Sequence, residues 1–132
     1  MDNPGAHTLA SLLVTTNILT AQAQTAITSL EGMKEVTLEA ELLGGTGGST
    51  FTAVVRTRIG SGGTLREIAR FDFTTAAAKS CTIVKGAASI AALAALSANS
   101  VLQNFLGTEL DCIVSSTGTY TNTTFVLRAS VS

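Results

Sequence analysis

MKEVTLEAELLGGTGGSTFTAVVRTRIGSGGTLREIARFDF, residues 33–73, decides the fold. Val36, Leu38, Ala40 and Leu42 alternate with Thr37, Glu39 and Glu41. After Gly44-Gly45-Thr46-Gly47-Gly48, Ala53, Val55, Thr57 and Ile59 share a face opposite Arg56 and Arg58. Gly60-Ser61-Gly62-Gly63 then leads into 65–73, where Ala69, Phe71 and Phe73 alternate with Arg70 and Asp72. Strand side chains change face at every residue, so each segment reads as a half-buried strand. Glycine supplies the positive φ of tight hairpin turns. The stretch therefore reads as an antiparallel meander, with the rest of the chain as its second layer.

Working outward, 79–85 is a fourth strand with Cys81 and Ile83 on one face. Residues 108–116 alternate Leu110, Cys112 and Val114 against Asp111 and Ser115. A turn cluster at 117–122 precedes 124–131, where Phe125, Leu127, Ala129 and Val131 oppose Arg128. Between Gly86 and Gly107 the chain is Ala-rich, either helical turns or an apolar cross-over. Short strands at regular spacing with Gly-rich turns give an all-β fold, an antiparallel β-sandwich or jelly-roll-like barrel. The expected core holds Leu38, Ala40, Val55, Phe71, Phe73, Ile83, Leu110, Cys112, Phe125 and Leu127.

Residues 1–30 read differently. Met1 to Thr8 hold the only proline and the only histidine and show no period. Leu9, Leu12 and Leu13 fit one helical face, but the β-branched run that follows favours extended chain. The organisation expected is an N-terminal extended arm over 1–30, lying along a neighbour, and a β-sandwich domain over 31–132. Asp2 stands where a signal peptide would be basic, so no export signal is expected.

With 45% hydrophobic and 13% charged residues, the surface is poor in charge and rich in Thr, Ser and Gly. Net charge is −1 with no basic cluster. Nucleic acid and anionic membranes are therefore not expected partners, because phosphate binding needs concentrated Lys and Arg. Cys81 and Cys112 are expected as buried free thiols.

Candidate chemistry is thin. Residues 44–50 resemble a phosphate loop, but its lysine and following helix are missing. Glu39 and Glu41 lie about 7 Å apart on one strand face by strand rise, a spacing open to paired-carboxylate chemistry. No Trp and one Tyr leave no platform for a sugar, so a solvated face is the simpler reading. One His and two separated Cys make neither a nucleophile–base pair nor a closed zinc site. No catalytic residue, metal or cofactor is expected. Arg56 and Arg58, with Arg66 and Arg70 across the hairpin and Glu67 and Asp72 as counter-charges, form cross-strand ion pairs or an interface patch.

The runs Gly47-Gly48-Ser49-Thr50, Arg56-Thr57-Arg58-Ile59-Gly60-Ser61-Gly62-Gly63-Thr64 and Glu67-Ile68-Ala69-Arg70-Phe71-Asp72-Phe73 resemble a pattern in small virion β-sandwich proteins of tailed bacteriophages. Asn104-Phe105-Leu106-Gly107 and Thr117-Gly118-Thr119-Tyr120 share that likeness. In that family the hairpin turn carries an Asp followed by a Trp; here Gly60-Ser61 and Leu65 stand there. The resemblance implies a non-enzymatic structural role in the virion, after synthesis in the host cytoplasm. It points to a head decoration (cement) subunit, with a neck or tail accessory protein or a receptor- or glycan-binding module as alternatives. The partners it implies are a major capsid protein or other virion proteins. Separately, the arm is too apolar for a solvated tail, which points to a homo-oligomer, a trimer first. The arm supplies the expected contact residues Leu9, Leu12, Leu13, Ile18 and Ile27, with Arg56 and Arg58 as a second patch. On this reading, deleting 1–30 leaves the sandwich folded.

Overall fold

The described residues of the computed structural model are 5–14, 18–24, 26–30, 33–43, 46–47, 50–60, 62–73, 78–85, 101, 106–118, 120–121 and 123–132. They form β1 (Gly5–Val14), β2 (Ile18–Ala23), β3 (Glu35–Leu43), β4 (Thr46–Gly47), β5 (Thr50–Arg58), β6 (Arg66–Phe73), β7 (Ala78–Lys85), β8 (Glu109–Thr117), β9 (Tyr120–Thr121) and β10 (Thr123–Val131). Two antiparallel four-stranded sheets result, ordered β1-β10-β3-β7 (sheet A) and β2-β8-β5-β6 (sheet B), and β4 pairs with β9. Apart from those two short strands, first pairs with last: β1 with β10, β2 with β8, β3 with β7, β5 with β6. The chain is one long hairpin, its tip between β5 and β6, rolled until β10 meets β3 and β8 meets β5. This is the strand order of a jelly roll, the antiparallel sandwich implied by the alternating sequence.

The hairpin tip falls at the second glycine run. Gly60 has φ of 64°, and the Gly63 amide donates to the Gly60 carbonyl at 3.2 Å. A Cβ on Gly63 would stand 2.4 Å from the Ile59 carbonyl oxygen, so the turn closes only on glycine. The expected meander, however, does not form, because β3 and β5 lie in different sheets. Alternation fixes which face of a strand is buried, and two such faces can meet across a sandwich as readily as side by side. Between Leu43 and Thr50 the chain thus passes from sheet A to sheet B, and Thr46–Gly47 pair with Tyr120–Thr121.

The N-terminal segment also needs correction. It is extended, but the neighbour it lies along is the chain's own last strand, from Gly5↔Val131 to Val14↔Thr123. Leu9, Ala10 and Val14 are buried in the core. The register slips by one residue between Thr8 and Ala10, leaving Leu9 without a ladder partner. Such a bulge sends two adjacent side chains inward and breaks the period of two. This is why the segment shows no alternation in sequence. Ile27 is likewise tied down: its amide donates to the Leu110 carbonyl at 2.8 Å and its carbonyl accepts from Leu110 at 2.9 Å. A boundary after residue 30 therefore separates nothing physical, since Leu30 is fully buried and bonded to Thr108.

The core lies between the sheets. Phe125 of β10 packs on Phe51 of β5 at 4.6 Å between ring centroids and on Phe73 of β6 at 6.4 Å. Leu38, Ala40, Val55, Phe71, Leu110, Cys112 and Leu127 are buried as expected. Ile83 is paired with Thr37 rather than Leu38 in the β3–β7 register. Ile59 is 65% exposed, because β5 ends one residue earlier at Arg58. Of the Ala-rich stretch 86–107, all but Val101, Leu106 and Gly107 lies outside the described residues; Val101 bridges to Ala69.

Removing residues 1–14 should strip β10 of one ladder and the core of Leu9, Ala10 and Val14, and the chain should lose its cooperative denaturant transition. A truncated protein with a sigmoidal transition at the full-length midpoint would place β1 outside the cooperative unit.

Candidate functional site

The outward face of sheet B carries the densest cluster of charged side chains among the described residues. Its register aligns Glu109 with Arg58, then Asp111 with Arg56 and Glu67, then Ile113 with Val54 and Arg70, then Ser115 with Thr52 and Asp72. Residues paired across antiparallel strands point to one side, so these rows form a single surface. Arg56 meets Asp111 through two bonds, Nε to Oδ1 at 2.9 Å and Nη2 to Oδ2 at 2.6 Å. Arg58 Nε donates to Glu109 Oε1 at 3.0 Å. Arg70 holds Asp72 through Nε and Nη2, and Thr52 Oγ1 donates to the same carboxylate at 3.0 Å. Val54 is buried although it belongs to this face; its register neighbours Ile113 and Arg70 have side chains long enough to cover it.

Cross-strand ion pairing is thus the outcome for Arg56 and Arg58, but their counter-charges are Asp111 and Glu109 of β8. The hydrogen bond from Arg56 to Asp111 raises the Arg56 pKa above its usual value, against the opposing effect of burial. Asp72 does the same for Arg70. Asp111 is only 9% exposed, and both of its carboxylate oxygens accept from Arg56.

One end of these rows is locked by backbone contacts. The buried Thr57 hydroxyl donates to the Glu109 carbonyl at 2.7 Å and accepts from the Gly107 amide at 3.0 Å. Thr108 donates its amide to the Arg58 carbonyl at 2.8 Å and accepts from the Gly60 amide at its hydroxyl at 2.8 Å. A Cβ on Gly107 would lie 2.1 Å from the Arg58 oxygen, so only glycine allows the returning chain this close.

The other expected contact residues do not gather into a site. Leu9 lies in the core, and Leu12 and Ile27 are partly buried against it. Leu13 and Ile18 are paired through their backbones to Thr124 and Ser116, and their side chains fall outside the described residues. Glu39 and Glu41, on the outward face of sheet A, both accept from Arg128 Nη1, at 3.3 and 3.1 Å. A carboxylate pair bridged by one cation is a surface ion network worth ~0–1 kcal/mol per pair, not an acid and base poised around a bond. Among the described residues no three His, Cys, Asp or Glu groups come together to hold a metal. Among the described residues, clefts of about 90, 160 and 200 Å³ open on the surface. Small-molecule pockets generally run from roughly 300 to 1,000 Å³.

Cys112 is a free thiol in the core beside Val55 in register. Burial pushes its pKa from 9.0 up to about 12, with the Asp111 charge adding to the rise. Its folded pKa is the higher one, so its contribution to stability is complete below about pH 9 and is lost as pH climbs towards 12. The native thiol should resist alkylation at pH 8 and react only as fast as the protein opens; alkylation at the rate of the unfolded chain would contradict that placement.

Asp111 and Glu109 escaped sequence reading as partners because β8 lies more than fifty residues from β5. Alternation does set both on the face opposite Leu110 and Cys112, which was the available signal. Arg56→Ala should cost ~1–3 kcal/mol by stranding a nearly buried carboxylate. The double variant Arg56→Ala, Asp111→Ala should cost less than the two single changes added. Simple additivity in urea unfolding would mean that the pair does not couple. Neither a scan against protein-family models nor a search of curated proteins finds a match for this chain.

Proposed function

We propose that this chain is a non-enzymatic structural protein of a virion, a decoration (cement) subunit that binds the outer surface of a tailed-phage head and stabilises it. The observation that carries this reading is the rolled-hairpin strand order. Jelly rolls of this kind serve in viral capsid domains, lectins and cupins. The step from fold to role is analogy, and the residues choose among the three. A lectin site would want an aromatic platform, and the chain has no Trp and one Tyr. A cupin centre is built from clustered histidines, and the chain has one. A capsid-binding role asks only for a poorly charged module, and the resemblance of the 47–73 runs to virion β-sandwich proteins leans the same way.

The N-terminal segment is not free to serve as an arm on this reading, because β1 completes sheet A. Contact with a shell then falls to faces and edges of the sandwich. The outward rows of sheet B are self-neutralised by their ion pairs, which suits a surface that packs without needing an oppositely charged partner.

Quantitative mass spectrometry of purified source particles provides the test. A cement subunit should be present in copy numbers on the scale of the shell protein. Labelled protein should bind stripped heads saturably. A stoichiometry of one small ring per particle would move the chain to the neck or tail, and absence from particles would overturn the virion reading altogether.

A further inference from the structure

The four edge strands of the sandwich are not treated alike. On one flank β6 lies against β7. There β6 carries Arg66, Glu67, Arg70 and Asp72, and β7 carries Lys79 and Lys85. The β5–β6 register slips at Ile68, and Val101 bridges to Ala69 on the outer side of β6. Charge, a bulge and a covering residue are devices by which proteins keep an exposed edge from pairing with another chain. β1 has a bulge too, so charge and the covering residue are what set this flank apart. The opposite flank is made by β1 and β2, joined by only residues 15–17. From Asn3 to Leu30 the sequence holds no Asp, Glu, Lys or Arg. Beyond its bulge at Leu9, β1 runs regularly through Ala10–Val14 along β10, with its other edge unpaired among the described strands.

We propose that this uncharged flank is where two copies of the chain join, β1 of one running antiparallel to β1 of the other, so that sheet A continues across a two-fold axis. The occupant follows from the chemistry of the edge. An antiparallel strand is its own complement, since each copy offers the same outward amides and carbonyls to the other. Such pairing sets each residue near the axis close to its own copy, which a charged strand resists and this one does not. The β6 and β7 edges fail that condition: paired with themselves, they would bring Lys79, Lys85 or Arg66 near their like. The contact is a dimer, in place of the trimer expected from the apolar N-terminal segment. It takes the structural role proposed above as its setting, but its test needs no shell, so either reading can fail without the other.

Sedimentation equilibrium of the full chain should give twice the 13.4 kDa protomer mass. Ser11 is exposed on β1, so Ser11→Lys and Ser11→Glu should leave the circular dichroism spectrum intact. Each should weaken self-association by roughly tenfold or more. Thr64→Lys, on the exposed hairpin turn, should leave the dimer unchanged. Should the Ser11 variants not fold, hydrogen exchange of the unaltered protein decides instead. Protection of the 10–14 amides should rise with protein concentration while that of the β6 amides stays constant. A protomer mass at the highest soluble concentration, a trimer mass, dimers that survive both Ser11 changes, or concentration-independent exchange in 10–14 would each overturn the proposal.

Discussion

Strand β10 has a ladder on each side, β1 from Gly5 to Val14 and β3 from Val36 to Leu43. Its inward residues Phe125, Leu127, Ala129 and Val131 are all buried. Both ladders must hold for those side chains to stay covered, and both join residues far apart in sequence. The end of the strand is held too: Ser132 exchanges backbone bonds with Glu35 at 3.0 and 3.1 Å and accepts from Lys34 at 2.8 Å. Closing such long loops costs entropy before any contact repays it. The repayment is the apolar layer between the sheets, where burial of each Phe or Leu contributes about 1.5–3 kcal/mol.

Two bulges let that layer fill. On β1 the slip at Leu9 sends Leu9 and Ala10 inward together, and on β6 the slip at Ile68 does the same for Ile68 and Ala69. Each gains the core a large side chain at a position where strict alternation would have set a polar one. Both occur on edge strands, where among the described residues no second strand has to be kept in register, although Val101 bridges to Ala69 beside the β6 bulge.

Those positions also mark where sequence reading stops. The alternating apolar residues of β3, β5, β8 and β10 are legible because period two is a local property. Phe51, at the start of β5 where the glycine-rich break obscures the strand's beginning, is not among the expected core. β1 reads as an arm because its bulge erases the period. The meander error had another origin, since neighbour choice among strands is a long-range outcome that no single segment encodes. The same limit hid the partners of Arg56 and Arg58. Their face was plain from the pattern, but that β8 would bring Asp111 and Glu109 beside them was not. Ile59 was misplaced through one residue of strand length, which the Gly60 turn takes away.

The arrangement of charge bears on what such a module can do. On the described outward faces, Arg56, Arg58, Arg70 and Arg128 each contact a carboxylate of the same chain. A guanidinium already committed to two carboxylate oxygens gains little from an incoming anion, because it would trade one charge-assisted pair for another. These four arginines therefore offer an incoming partner little net charge attraction. What remains to a partner is shape, small apolar and hydroxyl side chains, and the backbone groups of open strand edges. Contacts of that sort are weak one by one and become stable where many copies repeat on an ordered surface. Surfaces of that kind are what the lattice-bound role proposed above requires of the sandwich.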